Sequence, residues 1–197
     1  MRVSRVPKLP ELLLFEPRVF RDERGTFREL HHEDRYRSLG LDARFVQDNL
    51  SESARHVLRG MHLQHPLAQG KLVTVLDGMV YDVAVDVRRG SPTFGRWAAV
   101  ELSADNALQL WIPPGFAHGF MVLSERALFS YKCTELYNAA SELAIRWDDP
   151  DIGIEWPVAV PRLSPKDATA PRLSELDPGR LPSIDIKPVC APPSTRS

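Results

Sequence analysis

Cysteine is nearly absent from this chain: two residues in 197, Cys133 in a strand-like run and Cys190 in a proline-rich tail. Two cysteines so placed make no disulfide framework and have no metal-ligand spacing. Long apolar runs are missing as well. The N-terminal run Leu12-Leu13-Leu14-Phe15 falls far short of a signal-peptide core or of the roughly 20 residues a membrane span needs. A soluble cytoplasmic protein with no membrane partner is therefore expected. Neither sign of charge is in excess: 25 Lys and Arg against 26 Asp and Glu leave a net charge of -1. No global basic field exists to hold nucleic acid, so any anion must be recognised locally by a few placed cations. The His-x-His pair of a metal-binding strand is absent too. His62 and His65 are three apart, which puts them on opposite faces of a regular strand.

The composition is 43% hydrophobic and 26% charged, ordinary for a globular protein with one sizeable core. Short β-type runs fill the middle of the chain: Phe45–Leu50, Val57–Gln64, Lys71–Leu76, Met79–Val87, Trp97–Leu102, Leu108–Ile112, His118–Leu123 and Ala127–Thr134. Asp77-Gly78 is a tight-hairpin signal, and Ser91-Pro92-Thr93 and Pro113-Pro114-Gly115 mark other turns. Eight strands at roughly ten-residue spacing predict a sandwich or jelly-roll barrel rather than βαβ units. His32–Leu39 reads as a short helix ended by Gly40, and Ser141–Trp147 as either a helical turn or a strand. The prolines from Pro157 onward impose an extended path. The domain is expected over 1–176, with a loose proline-rich tail over 177–197.

Several side chains stand out. In Arg59-Gly60-Met61-His62 a regular strand would send Arg59 and His62 to opposite faces, but a bulge at Gly60 would bring them together. Val83, Val85 and Val87 alternate with Asp82, Ala84 and Asp86, so the second strand face meets either solvent or a polar cavity. Lys71 opens a strand, where a solvated lysine is the usual finding. Tyr131 shares a face with Phe129 and Cys133, the inward one by alternation, and Asp167 lies in Ser164-Pro165-Lys166-Asp167, where acids often serve turns.

Together these segments resemble the dTDP-4-dehydrorhamnose 3,5-epimerase family. The matching pieces include Phe20–Phe27, Phe45-Val46-Gln47-Asp48-Asn49, Val57–Gln64, Gly70-Lys71-Leu72-Val73, Tyr81–Arg88, Pro113–Phe120, Tyr131-Lys132-Cys133-Thr134 and Leu163-Ser164-Pro165-Lys166-Asp167. The likeness runs in consistent order over about residues 8 to 175. It implies an all-β, cupin-like jelly-roll barrel with short flanking helices and an extended N-terminal arm, working as a homodimer without metal or organic cofactor. It implies a dTDP-4-keto-6-deoxyhexose substrate. His62 resembles the family's general base, Asp167 its carboxylate partner, Lys71 the cation facing the C4 oxygen, and Tyr131 the acid on the opposite sugar face. Arg24 and Arg59 resemble diphosphate contacts. Glu29, Gln47, Asp48, Asn49, His118, Glu142 and Lys166 resemble further substrate contacts, Tyr137 lines the same site, and Asp82 lies nearby.

That residue set suits proton removal beside a ketone. A placed base contributes about 10²–10⁴ in rate, short of the roughly 10⁶ that enzymes reach. A cation on the enolate oxygen adds about 10²–10³. Three other readings remain open at this level: an epimerase acting at C3 only or C5 only, a metal-dependent cupin oxygenase, and a non-catalytic sugar-binding jelly roll.

Overall fold

Side-chain alternation along the strands sorts the chain into two facing antiparallel sheets. The computed structural model describes residues 1–185. Its strands are β1 (Arg2–Val6), β2 (Leu9–Glu16), β3 (Val19–Asp22), β4 (Gly25–Arg28), β5 (Gln47–Ala54), β6 (Leu58–Gln64), β7 (Lys71–Asp77), β8 (Met79–Asp86), β9 (Trp97–Ser103), β10 (Gln109–Ile112), β11 (Phe116–Val122), β12 (Arg126–Cys133) and β13 (Glu142–Ala144). One sheet runs β1-β2-β10-β7-β12-β5 and the other β13-β6-β11-β8-β9, with β3-β4 a separate hairpin. This is the expected cupin-like jelly roll. All eight sequence-predicted strands are present, with ends shifted by a few residues. The open question over Ser141–Trp147 resolves to a short strand, β13, after a 3₁₀ turn at Ala139–Ser141.

The core lies between the sheets. Val73, Val75, Leu110, Ile112 and Phe129 of the first sheet meet Val80, Ala84, Ala98, Leu102, Phe116, Phe120 and Val122 of the second. The outer face of the second sheet, Met61, Leu63, Val83, Val85 and Val87, is covered by Ile145, Ile152, Leu173 and Leu181. The outer face of the first sheet, with Phe15, Leu72 and Trp111, is covered by Tyr36 and Leu41. Tyr36 belongs to helix α1 (Glu33–Ser38), which His32 caps by accepting from the Arg35 amide. Both faces of β8 are thus buried, and its acids point between the sheets. Asp86 is taken up locally by the Arg88, Ser91 and Thr93 side chains. It holds the turn and is no part of the cavity wall.

The N-terminal strands were not legible as strands in the sequence. β1 and β2 extend the chain's own first sheet, pairing through Leu14 with Leu110 and Leu13 with Trp111. The arm is the β3–β4 hairpin, where Phe20 and Phe27 are 48% and 70% exposed. Residues 177–185, read from sequence as the start of a loose tail, pack here: Leu181 is buried, and the Ile184 amide donates to the Arg89 carbonyl. The rest of that tail, with Cys190, lies outside the described residues. No helix among the described residues is long and apolar enough to cross a membrane.

One irregularity positions the site. On β11, His118 pairs with His62 and Phe120 with Arg59, so two steps on β11 span three on β6. The extra residue is the bulge expected at Gly60. It sets Arg59 opposite the inward Phe120, on the same side as His62. Gly60 has φ +142, and a Cβ there would sit 2.5 Å from the Gly119 Cα. Gly60→Ala should lower unfolding free energy by about 2–4 kcal/mol through backbone overlap and strain. Chemical denaturation checks this, and an unchanged midpoint would refute it.

Candidate active site

Strand parity fixes what reaches the inside. Lys71 shares a face with Val73 and Val75, Tyr131 with Phe129, and His118 with Phe116 and Phe120. These polar side chains come from both sheets and converge at one end of the barrel. They line a cavity of about 480 Å³ together with Arg59, His62, Gln64, Tyr137, Glu142, Arg162, Lys166 and Asp167.

His62 lies on β6 and its partner comes from far along the chain. Ser164 caps the one-turn helix α2 (Pro165–Ala168) by accepting from the Asp167 amide, and Pro165 occupies the first turn. The cap holds Asp167 against His62, with Oδ1 2.6 Å from Nε2. Burial pushes the Asp167 carboxyl up, but the hydrogen bonds from His62, Ser164 and the Gly60 backbone outweigh it and hold the group below its ordinary value. An ionised carboxylate only accepts, so Nε2 carries the proton and Nδ1 keeps its lone pair.

Lys71 is 8% exposed. Burial lowers its ammonium pKa, against the opposing pull of Cys133, Glu142 and Asp82. Behind it lies a second pair, His118 Nε2 at 2.9 Å from Asp82 Oδ2. Burial raises the Asp82 carboxyl despite His118 and Lys71, and its Oδ1 has no hydrogen-bond partner. Burial also raises the Tyr131 phenol, so it stays protonated beyond the ordinary tyrosine range. At the mouth, Glu142 Oε2 accepts from Lys166 at 2.5 Å and from the Tyr137 hydroxyl at 3.1 Å. Burial alone would raise Glu142, but those two donors hold it low.

Of the expected site residues, His62, Lys71, Tyr131, Asp167, Arg59, His118, Tyr137, Glu142 and Lys166 line this one cavity. Asp82 sits beneath it. Gln47 touches its rim, accepting from the Tyr137 amide. The remaining four are elsewhere in the subunit. Arg24 pairs with Asp22 at the β3–β4 tip, Glu29 with Arg35, Asp48 with Lys132, and Asn49 donates to the Cys133 thiol. His65 is outside the cavity. Among the described residues, no cluster of three His, Cys, Asp or Glu side chains is arranged to hold a metal ion. Arg162, Ser51, Gln64 and Gln69 also line the wall and were missed. Arg162 lies in a proline-spaced stretch without periodicity, so nothing in the sequence signals it.

A jelly-roll barrel with a paired histidine, a buried lysine and a half-buried phenol around one cavity defines a cupin-like enzyme of proton-transfer chemistry. The family profile for dTDP-4-dehydrorhamnose 3,5-epimerase matches residues 7–175. A dTDP-4-dehydrorhamnose 3,5-epimerase of Salmonella typhimurium is 54% identical over 170 residues, covering 85% of this chain and 93% of that protein. The crystal structure of a dTDP-6-deoxy-D-glucose-3,5-epimerase of Legionella pneumophila, in complex with dTDP-4-keto-L-rhamnose, superposes with a TM-score of 0.90 at 50% identity. It covers 94% of this chain and 99% of its own. A 3'-monoepimerase of Streptomyces bikiniensis in complex with dTDP-quinovose has a TM-score of 0.85 at 33% identity, covering 91% of this chain and 92% of its own. The chain belongs to the dTDP-4-dehydrorhamnose 3,5-epimerase family.

Because the Asp167 pKa lies below its ordinary 3.8, its contribution to stability is complete above that pH and is lost as pH falls through the lower folded-state value. Wild type should therefore be more stable than Asp167→Asn near neutrality, with the difference vanishing in strong acid. Denaturation of both proteins from pH 7 to pH 2 (about one point per unit) measures it. A pH-independent difference would contradict the assigned ionisation.

Proposed function

We propose that this protein epimerises dTDP-4-dehydro-6-deoxy-D-glucose at C3 and C5, giving dTDP-4-dehydro-L-rhamnose, with no cofactor in the reaction. The observation that carries the reading is the His62–Asp167 hydrogen bond of 2.6 Å on the wall of a cavity that also presents Lys71 and Tyr131.

The hydrogens on C3 and C5 flank the C4 ketone. His62 Nδ1 takes one of them, the C–H electron pair moves into the ring, and negative charge collects on the C4 oxygen. Asp167 stabilises the imidazolium that forms. Lys71 faces the enolate oxygen. Its burial strengthens that attraction, because little water competes for the charge. Tyr131 returns a proton to the same carbon from the opposite face, and inversion results. His62 then gives its proton to solvent and Tyr131 regains one from solvent, and the process repeats at the other carbon. Protons balance and no electron leaves the sugar, so nothing in the scheme calls for an external oxidant or metal.

Arg59 serves the diphosphate through its guanidinium fork, which matches pairs of phosphate oxygens. Tyr137, Glu142 and Lys166 hold the nucleotide end at the mouth, and His118, set by Asp82, contacts the sugar. The working unit is a homodimer in the cytoplasm, each subunit one jelly-roll domain. The exposed Phe20 and Phe27 on the hairpin that carries Arg24 support a dimer in which that arm lies across the partner. Arg24 and Glu29 would then serve the partner's site, with Gln47, Asp48 and Asn49 on the adjoining edge.

Incubation with dTDP-4-dehydro-6-deoxy-D-glucose in deuterium oxide, followed by proton NMR, is the test. Deuterium should enter at two carbons, and entry at one alone would identify a single-site epimerase like the Streptomyces bikiniensis relative. Tyr131→Phe should keep deuterium exchange while losing inversion by at least about 10²-fold. Normal inversion by that variant would remove Tyr131 as the acid.

A further inference from the structure

Counting charge around the cavity exposes a cation without employment. The wall carries four basic side chains, Arg59, Lys71, Arg162 and Lys166, against two carboxylates, Glu142 and Asp167. Both carboxylates are engaged, Glu142 with Lys166 and Asp167 with His62. Lys71 is buried between the sheets, on the face it shares with Val73 and Val75. Arg59 is steadied by the Ser53 hydroxyl at 3.0 Å and the Glu52 carbonyl at 3.4 Å. Lys71 and Arg162 have no side-chain hydrogen bond or ion pair among the described residues, and of these two only Arg162 is exposed.

Its backbone, by contrast, is pinned. The Arg162 amide donates to the His56 carbonyl at 2.8 Å, and the Leu58 amide donates to the Arg162 carbonyl at 3.0 Å. These bonds make a parallel bridge with Val57, beside the start of β6, two residues from Arg59. A fixed backbone with a free guanidinium on a cavity wall is a preorganised anion contact, because little main-chain order is lost when the anion arrives. The same short segment leads into Ser164 and Asp167, so its placement is tied to the catalytic pair.

We propose that Arg162 is a further substrate-binding residue, forming with Arg59 a two-arginine clamp on the diphosphate of the nucleotide sugar. The inference rests on the nucleotide-sugar reading above. The two unmatched positive charges on the wall correspond to the charge of a diphosphate diester. Two forks can engage oxygens of both phosphorus centres, and one fork engages a single pair. Arg162 does not enter the proton transfers.

Isothermal titration of wild type, Arg162→Gln and Arg162→Lys with dTDP and with thymidine tests this. Arg162→Gln should bind dTDP roughly tenfold or more weakly, as expected for loss of a charged hydrogen-bonding partner, while thymidine affinity stays the same. The KM for the nucleotide sugar should rise by a similar factor. Arg162→Lys, which keeps the charge but not the fork, should recover part of the loss. It also serves as the informative variant if the glutamine form melts early. Wild-type dTDP affinity in Arg162→Gln, or equal loss of dTDP and thymidine binding, overturns the clamp and leaves the function standing. Failure of the wild type itself to bind dTDP overturns both.

Discussion

The hydrogen bond between His62 and Asp167 joins two parts of the chain that are 105 residues apart, and the rest of the site is arranged around it. On one side the β6 bulge turns His62 and Arg59 inward together. On the other, the Ser164 cap and the bridge at Arg162 fix the segment that delivers the carboxylate. The barrel presents His62, and the wrapped C-terminal segment brings the carboxylate that selects its tautomer. Neither half suffices. An imidazole without the carboxylate has no fixed proton position, and a carboxylate on a floating turn would lose the bond's geometry.

The second constraint is the placement of charge in an apolar barrel. Lys71, His118 and Asp82 sit beside Phe120 and Phe129, whose rings stack 4.0 Å apart. Burial works against the charges of Lys71 and Asp82, lowering the lysine and raising the acid. Such an arrangement is poor for stability and good for stabilising an anion that forms only during reaction. The pair His118–Asp82 leaves a carboxylate oxygen unpartnered, a feature that packing alone does not explain. The structural acid of the same strand, Asp86, is by contrast fully satisfied by Arg88, Ser91 and Thr93.

Much of this was legible in the sequence because strand parity is rigid. Phe129 places Tyr131, and Gly60 signals the bulge that unites Arg59 with His62, whereas Lys71, expected from its strand-end position to be solvated, is buried on the face of Val73 and Val75. The first sheet's N-terminal strands were hidden, since Leu9–Glu16 is buried on no simple alternation. Partners brought in by long-range closure were hidden too. Asp167 looks like a turn residue until α2 is seen against β6, and the role proposed for it came only through family resemblance. Arg162 carried no local signal, because its position comes from a two-bond bridge to His56 and Leu58. Arg24, Glu29, Asp48 and Asn49 fall outside the subunit's own cavity.

The central claim is that the imidazole of His62 removes hydrogen from carbon beside the ketone. It is tested most directly by incubating His62→Ala with the dTDP-4-keto sugar in deuterium oxide, after confirming that the variant still binds dTDP. The account predicts no deuterium at C3 or C5 above the uncatalysed level. Incorporation at the wild-type rate would contradict it and assign the base elsewhere.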